Sequence, residues 1–234
     1  MIPLRDDQPT SSTPFINYFI IALNVLVFLF ELSVGMGSRQ QLNALMFQFG
    51  VVPYHEIGLL TGPVFSPAGA LVPVLTSMFL HASWGHVIGN MWFLWIFGDN
   101  VEDNLGHFKY LVFYLLSGVA ASFTHVVLNL NSRIPSVGAS GAIAGVLGAY
   151  FILYPRARVL TWLPPLFLFY LPAWLMLGYW FLIQFLSGAA TAIAETHQTT
   201  GGVAFWAHVG GFVAGILMIN LFPKRARRSR YATW

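Results

Sequence analysis

The sequence predicts an all-α membrane protein, a bundle of six transmembrane helices whose long first outer loop is partly embedded in the membrane surface. Three observations carry that reading. Of 234 residues, 57% are hydrophobic and only 8% are charged, against about 25% charged in an ordinary soluble domain. Aromatic residues reach 16%, and the mean hydropathy is +0.69. The charges are also confined: the intervals 8–30, 57–98, 110–132, 134–155, 159–194 and 196–223 contain no Asp, Glu, Lys or Arg. A bilayer-spanning helix needs about 20 apolar residues, and each interval is long enough. This balance excludes a disordered chain, a nucleic-acid-binding domain and nearly every soluble fold.

The apolar runs are continuous rather than alternating, so they read as helices and not barrel strands. They place spans near 15–34, 84–100, 108–128, 139–154, 171–190 and 203–222. Residues 1–14 form a short polar arm, 15–222 the membrane domain, and 223–234 a basic tail. No repeat or linker divides the chain. Residues 35–83 are the one long connection. Leu45, Met46, Phe47, Phe49, Leu59 and Leu60 make it too apolar for a free loop. Residues 159–170 carry Pro164 and Pro165, which disrupt a helix interior, and read as a broken or interfacial segment ahead of the fifth helix.

Charge placement orients the bundle. With six spans both termini share a side. Putting them in the cytoplasm leaves nine Lys and Arg inside and only Arg39 and Arg133 outside, the positive-inside pattern. The expected location is therefore the plasma (inner) membrane, with both ends cytoplasmic. The run from Lys224 to Arg230 reads as a topology anchor on anionic lipid and not as a nucleic-acid site. No cysteine is present, which excludes disulfides, thiolate metal sites and a cysteine nucleophile. The polar first 14 residues and the long apolar run after them do not have the form of a cleavable signal peptide.

Polar groups inside membrane helices are expensive, and three groups need a reason. Gly138-Ala139-Ser140-Gly141 opens the fourth helix. Its small neighbours let a backbone approach the hydroxyl, and free N–H groups at a helix start favour a developing negative charge. The bland alternative is a capping serine on a packing face. His208, in Ala207-His208-Val209-Gly210-Gly211, lies near the start of the last helix. Taken alone, it reads as a buried hydrogen-bonded histidine. However, Ala204, His208, Gly211 and Gly215 share one helix face, as do Ser140, Ala144 and Gly148. Two such smooth faces allow close helix contact, which would bring hydroxyl and imidazole to one depth, as a serine nucleophile and its base require. His86 and Asn90, four apart in the second helix and following His81, project together and can both donate to an oxyanion. Two or three histidines could also bind zinc, but no HExxH motif or suitably spaced carboxylate accompanies them. No metal and no cofactor is therefore expected.

GASG opening a helix, HxxxN after an earlier His, and AHVGG opening the last helix together resemble the rhomboid family of intramembrane serine proteases, over most of residues 15–222. The resemblance implies a rhomboid-like fold with Ser140 as nucleophile and His208 as base. It implies that His86, Asn90 and the Ser140 backbone N–H form the oxyanion hole, with His81 structural beneath the site. Gly138 and Gly141 flank the serine. Gly211 and Gly215 match the family's close-packing pattern, and Glu102 and Gly106 its first turn motif. Two positions depart from the pattern. Asn104 stands where that turn often has Arg. Ala144 stands where some members have an aromatic residue stacked on the histidine, so His208 must be oriented by another group.

The implied activity is peptide-bond hydrolysis in or near the transmembrane segments of membrane-protein substrates by a Ser-His dyad, in a cavity open to water. A rhomboid-like protein that binds or escorts membrane clients without cleaving them is the rival from another class. It is usually marked by loss of Ser or His, and both are present here. A proton-path transporter is a poorer fit, because paired intramembrane carboxylates and repeats are lacking.

Overall fold

The computed structural model describes residues 1–62, 66–193 and 204–223. It opens with strand β1 (Ile2–Asp6), followed by helices α1 (Phe15–Gly37), α2 (Arg39–Phe49), α3 (Pro53–Thr61) and α4 (Pro67–Thr76) and a 3-10 turn at Ser77–Phe79. Helices α5 (Trp84–Leu105), α6 (His107–Leu128) and α7 (Ser140–Leu153) come next. Strands β2 (Arg158–Leu163) and β3 (Phe167–Pro172) precede α8 (Ala173–Ile193) and α9 (Phe205–Met218).

Among the described residues, three helices are long and apolar enough to cross a membrane: Phe15–Gly37, His107–Leu128 and Ala173–Ala192. A fourth arises if Gly69–Phe79 and Trp84–Leu105, bent by 85°, form one broken segment. The helices expected near 139–154 and 203–222 are present as Ser140–Leu153 and Phe205–Leu221, but are shorter apolar helices. At 14 residues, α7 is about 21 Å long, less than the roughly 30 Å hydrocarbon core. Residue 203 and the expected tail from 224 onward lie outside the described residues.

The all-α expectation needs correction at two places. The segment 159–170 is a β-hairpin, and the N-terminal arm joins it. Together they make a three-stranded antiparallel sheet in the order β1-β2-β3. Ile2 pairs with Trp162 and Asp6 with Val159, with a register shift between Pro3 and Arg5. Arg158 pairs with Pro172 and Leu163 with Phe167. The prolines that argued against helix sit in and beside the turn, where strands tolerate them. The fifth helix begins at Ala173, just after Pro172.

The long connection 35–83 folds locally into α2, α3 and α4. Ser38 and Ser66 accept hydrogen bonds from the backbone N–H of Gln41 and Gly69, and Pro53 and Pro67 occupy first-turn positions. These are ordinary helix-start chemistries.

The core is the contact of α7 with α5, α6 and α9. Residues Gly141 to Tyr150 of α7 are all buried. A Cβ on Gly211 would overlap the Gly141 carbonyl, and one on Gly215 the Gly145 carbonyl. The two backbones therefore touch, as small-residue faces permit. At the other end of the bundle, Glu102 accepts from the backbone N–H of Ile16 (3.0 Å) and Asn17 (2.7 Å), capping α1 from another helix. His107 Nδ1 meets the same carboxylate at 2.5 Å. With Asn104 in the usual arginine position, a histidine satisfies the acid instead.

Candidate functional site

Ser140 is the first residue of α7. Before it, Gly138 has φ +130°, and a Cβ there would lie 2.6 Å from His86 Nε2. Only glycine accepts both the backbone angle and the approaching ring. Its N–H donates to the Ser77 carbonyl at 2.8 Å, tying the serine loop to the segment before α5.

His208 is buried in α9. The glycine contact between α7 and α9 sets the two side chains facing each other, with Ser140 Oγ and His208 Nε2 2.7 Å apart. On the far side of the ring, Nδ1 is 2.7 Å from Gln184 Oε1 of α8. An amide oxygen can only accept. The ring hydrogen therefore sits on Nδ1, and Nε2 is left to accept from the serine hydroxyl. Trp180, one turn earlier on α8, lies with its ring 5.8 Å from the imidazole at an interplanar angle of 34°. Helix α8 thus supplies both the hydrogen bond and the aromatic neighbour that the Ala144 position does not.

His86 and Asn90 enter from the first turns of α5. They line a cavity of about 410 Å³ together with Ser140, His208, Ser122 and His125. Among the described residues, no Asp, Glu, Lys or Arg lines it. A second cavity of about 210 Å³ reaches Ser140 and His208 between α5 and α8, past His86, Phe93 and Trp180. His81 lies beneath. Its Nδ1–H faces the Phe79 carbonyl at 3.3 Å, and its Nε2 accepts from Asn90 Nδ2 at 3.0 Å. Its backbone N–H donates to the Glu31 carboxylate at 3.1 and 3.2 Å. A hydrogen-bond chain therefore runs from Glu31 on α1 through His81 to the Asn90 amide. One amide hydrogen of Asn90 remains for the cavity.

Ser140, His208, His86, Asn90, His81 and Gly138 lie in this region, and Gly141, Gly211 and Gly215 in the α7–α9 contact. Glu102 and Gly106 lie at the other end of the bundle. Sequence reasoning missed Gln184, Trp180, His125 and Glu31. Glu31 was detectable as the one charged residue within α1.

The arrangement can pass a proton from a hydroxyl to an imidazole, and it places His86 and Asn90 on the two cavities that reach that pair. A Rhomboid domain model matches residues 68–225. The chain belongs to the rhomboid family. It is 33% identical over 163 residues to "Rhomboid protein 1, mitochondrial" of Saccharomyces cerevisiae, covering 68% of this chain and 44% of that protein. It is 30% identical over 188 residues to "Presenilin-associated rhomboid-like protein, mitochondrial" of Mus musculus, covering 76% and 46%. It is 33% identical over 160 residues to "Rhomboid-like protein 11, chloroplastic" of Arabidopsis thaliana, covering 64% and 52%. The chain thus spans about half the length of the curated relatives it matches. Their organellar names overturn the expectation of a plasma membrane. The physical reason is simple: an asymmetry of Lys and Arg says which side of a bilayer a loop occupies, not which bilayer it is.

Proposed function

We propose that this rhomboid is an intramembrane serine endopeptidase of an organellar membrane, cleaving peptide bonds in or near transmembrane segments of membrane proteins. The observation that carries the reading is the 2.7 Å contact of Ser140 Oγ with His208 Nε2 on the wall of a polar cavity. In this reading α7 and α9 complete a bundle of six spans.

His208 Nε2 takes the hydroxyl proton as Ser140 Oγ attacks the scissile carbonyl carbon. The resulting oxyanion receives hydrogen bonds from His86, Asn90 and the free backbone N–H of Ser140 at the start of α7. The C–N bond then breaks, and the proton on His208 passes to the departing amine. Water, deprotonated by the same nitrogen, hydrolyses the serine ester. Gln184 holds Nδ1–H throughout, keeping the ring in the accepting tautomer. A cavity without charged walls suits an uncharged peptide backbone.

The experiment is labelling with a serine-reactive fluorophosphonate in the intact membrane protein, comparing the parent with Ser140→Ala and His208→Ala. The parent is expected to label and both variants to remain dark. Equal labelling of all three removes the protease reading.

A further inference from the structure

The three-stranded sheet stands apart from the proposed chemistry, and its position along α5 is unusual. Asn100 Nδ2 of α5 donates to the Gln8 carbonyl at 3.0 Å, just beyond one end of β1. Trp92 Nε1 of the same helix donates to the Pro3 carbonyl at 2.6 Å, near the other end. Eight helical residues separate these contacts, about 12 Å along α5. The sheet therefore climbs α5 from its C-terminal end toward the middle of the bundle instead of projecting away from it. β1 packs on α5, and β2 and β3 pack on α8.

Polarity changes along the sheet in the same direction. At the lower end are Arg5 and Arg158, with Asp6 and Asp7 beside them; the Asp7 carboxylate accepts from the Arg158 backbone N–H at 2.7 Å. The Arg158 guanidinium lies 4.8 Å from the Tyr170 ring centroid, and Arg5 Nη2 donates to the Tyr170 hydroxyl at 3.3 Å. Arg156 is exposed just before β2. At the upper end, Leu166, Phe167 and Leu168 are 83%, 63% and 61% exposed. No charged residue follows Arg158 until position 195. Between the two ends stand exposed Trp162 and Tyr170, residue types that favour the membrane interface.

We infer that this sheet is a lipid-inserted element, with the Leu166–Leu168 tip among acyl chains and Arg5, Arg156 and Arg158 at anionic headgroups. Six-residue strands are about 20 Å long, enough to cross the roughly 15 Å of one leaflet's hydrocarbon. An open sheet edge is normally forbidden in lipid. Here one edge strand, β1, lies against α5, and it brings Pro3, which has no N–H to leave unpaired. The apolar tip would be an aggregation-prone patch in water and is ordinary in hydrocarbon.

The cysteine-free sequence makes the test direct. Single cysteines at Leu166 and, separately, Leu168 are spin-labelled in the full chain, in vesicles of phosphatidylcholine and phosphatidylglycerol. Collisional accessibility to oxygen and to a water-soluble nickel chelate is then compared with two references. Thr10→Cys stands for an exposed position in the arm, and Leu182→Cys for the half-exposed flank of α8. Both tip labels are expected to favour oxygen over nickel as Leu182→Cys does, several-fold more than Thr10→Cys. Tip labels as accessible to nickel as Thr10→Cys overturn the inference. Neither outcome depends on whether Ser140 is a nucleophile.

Discussion

Gln184 offers the sharpest test of the proposed chemistry. Its Oε1 is the hydrogen-bond acceptor at His208 Nδ1, at 2.7 Å. Gln184→Met keeps the length of the side chain and removes the acceptor. A buried donor left without a partner costs about 1–3 kcal/mol, and every 1.4 kcal/mol is a factor of ten. If that energy holds the ring in its accepting tautomer, kcat on a transmembrane substrate in proteoliposomes falls about five- to 150-fold, with KM little changed. Gln184→Glu separates positioning from packing. A carboxylate beside Nδ1 favours the doubly protonated ring, so the acid limb of the rate–pH profile moves to higher pH. A merely structural glutamine would leave kcat unchanged in Gln184→Met, whatever that variant did to Tm. Unchanged kcat in Gln184→Met, with superimposable pH profiles in parent and Gln184→Glu, refutes the assignment.

Other consequences follow from the packing and the charge. Gly215→Val places side-chain atoms on the Gly145 carbonyl. It should separate α7 from α9, costing about 1–3 kcal/mol or more, seen as a lower Tm in detergent and lost fluorophosphonate labelling. Asn90→Ala removes a donor from the cavity and leaves buried His81 Nε2 unpaired, so it should cut turnover about ten- to a thousand-fold while costing about 1–3 kcal/mol of stability, seen as a modestly lower Tm. An unchanged rate would reject the oxyanion role. Burial pushes Glu56 of α3 up to about 7 from 4.5. The folded state then binds this proton more tightly than the unfolded state, so its contribution to stability is full below about pH 4.5 and is lost as pH rises to about 7. Glu56→Gln should flatten that part of the Tm–pH curve, and identical parent and variant curves would contradict it.

What the sequence could disclose depended on how local each signal was. The glycine-flanked Ser140 and His208 lie on faces whose spacing alone demands a close helix contact, and the contact follows. The segment 159–170 was ambiguous because a short apolar run bounded by prolines has no decisive period. Its strand partner, β1, lies about 150 residues away, and no local pattern announces it. The loop helices were marked by Ser66-Pro67 and Ser38, which are readable start signals inside a stretch read only for its apolarity. Gln184 gave a faint signal, the one amide in an aromatic-rich helix. Its importance comes from three helices meeting, which one chain segment cannot express.

The site is therefore held by contacts of unequal stiffness. Ser140 and the backbone of His208 are fixed by α7 against α9, where glycine lets two main chains touch. Asn90 is fixed by His81, and His81 by Glu31 and the Phe79 carbonyl. The orientation of the His208 ring depends instead on α8, whose apolar window is only 17% buried, against 39% for α6. A displacement of α8 would move Gln184 and Trp180 away from the imidazole while leaving the α7–α9 contact intact. The hydroxyl and the ring would stay neighbours, but the tautomer that lets Nε2 accept would lose its hold. In the proposed mechanism such a displacement would weaken proton transfer before it disturbed the α7–α9 core.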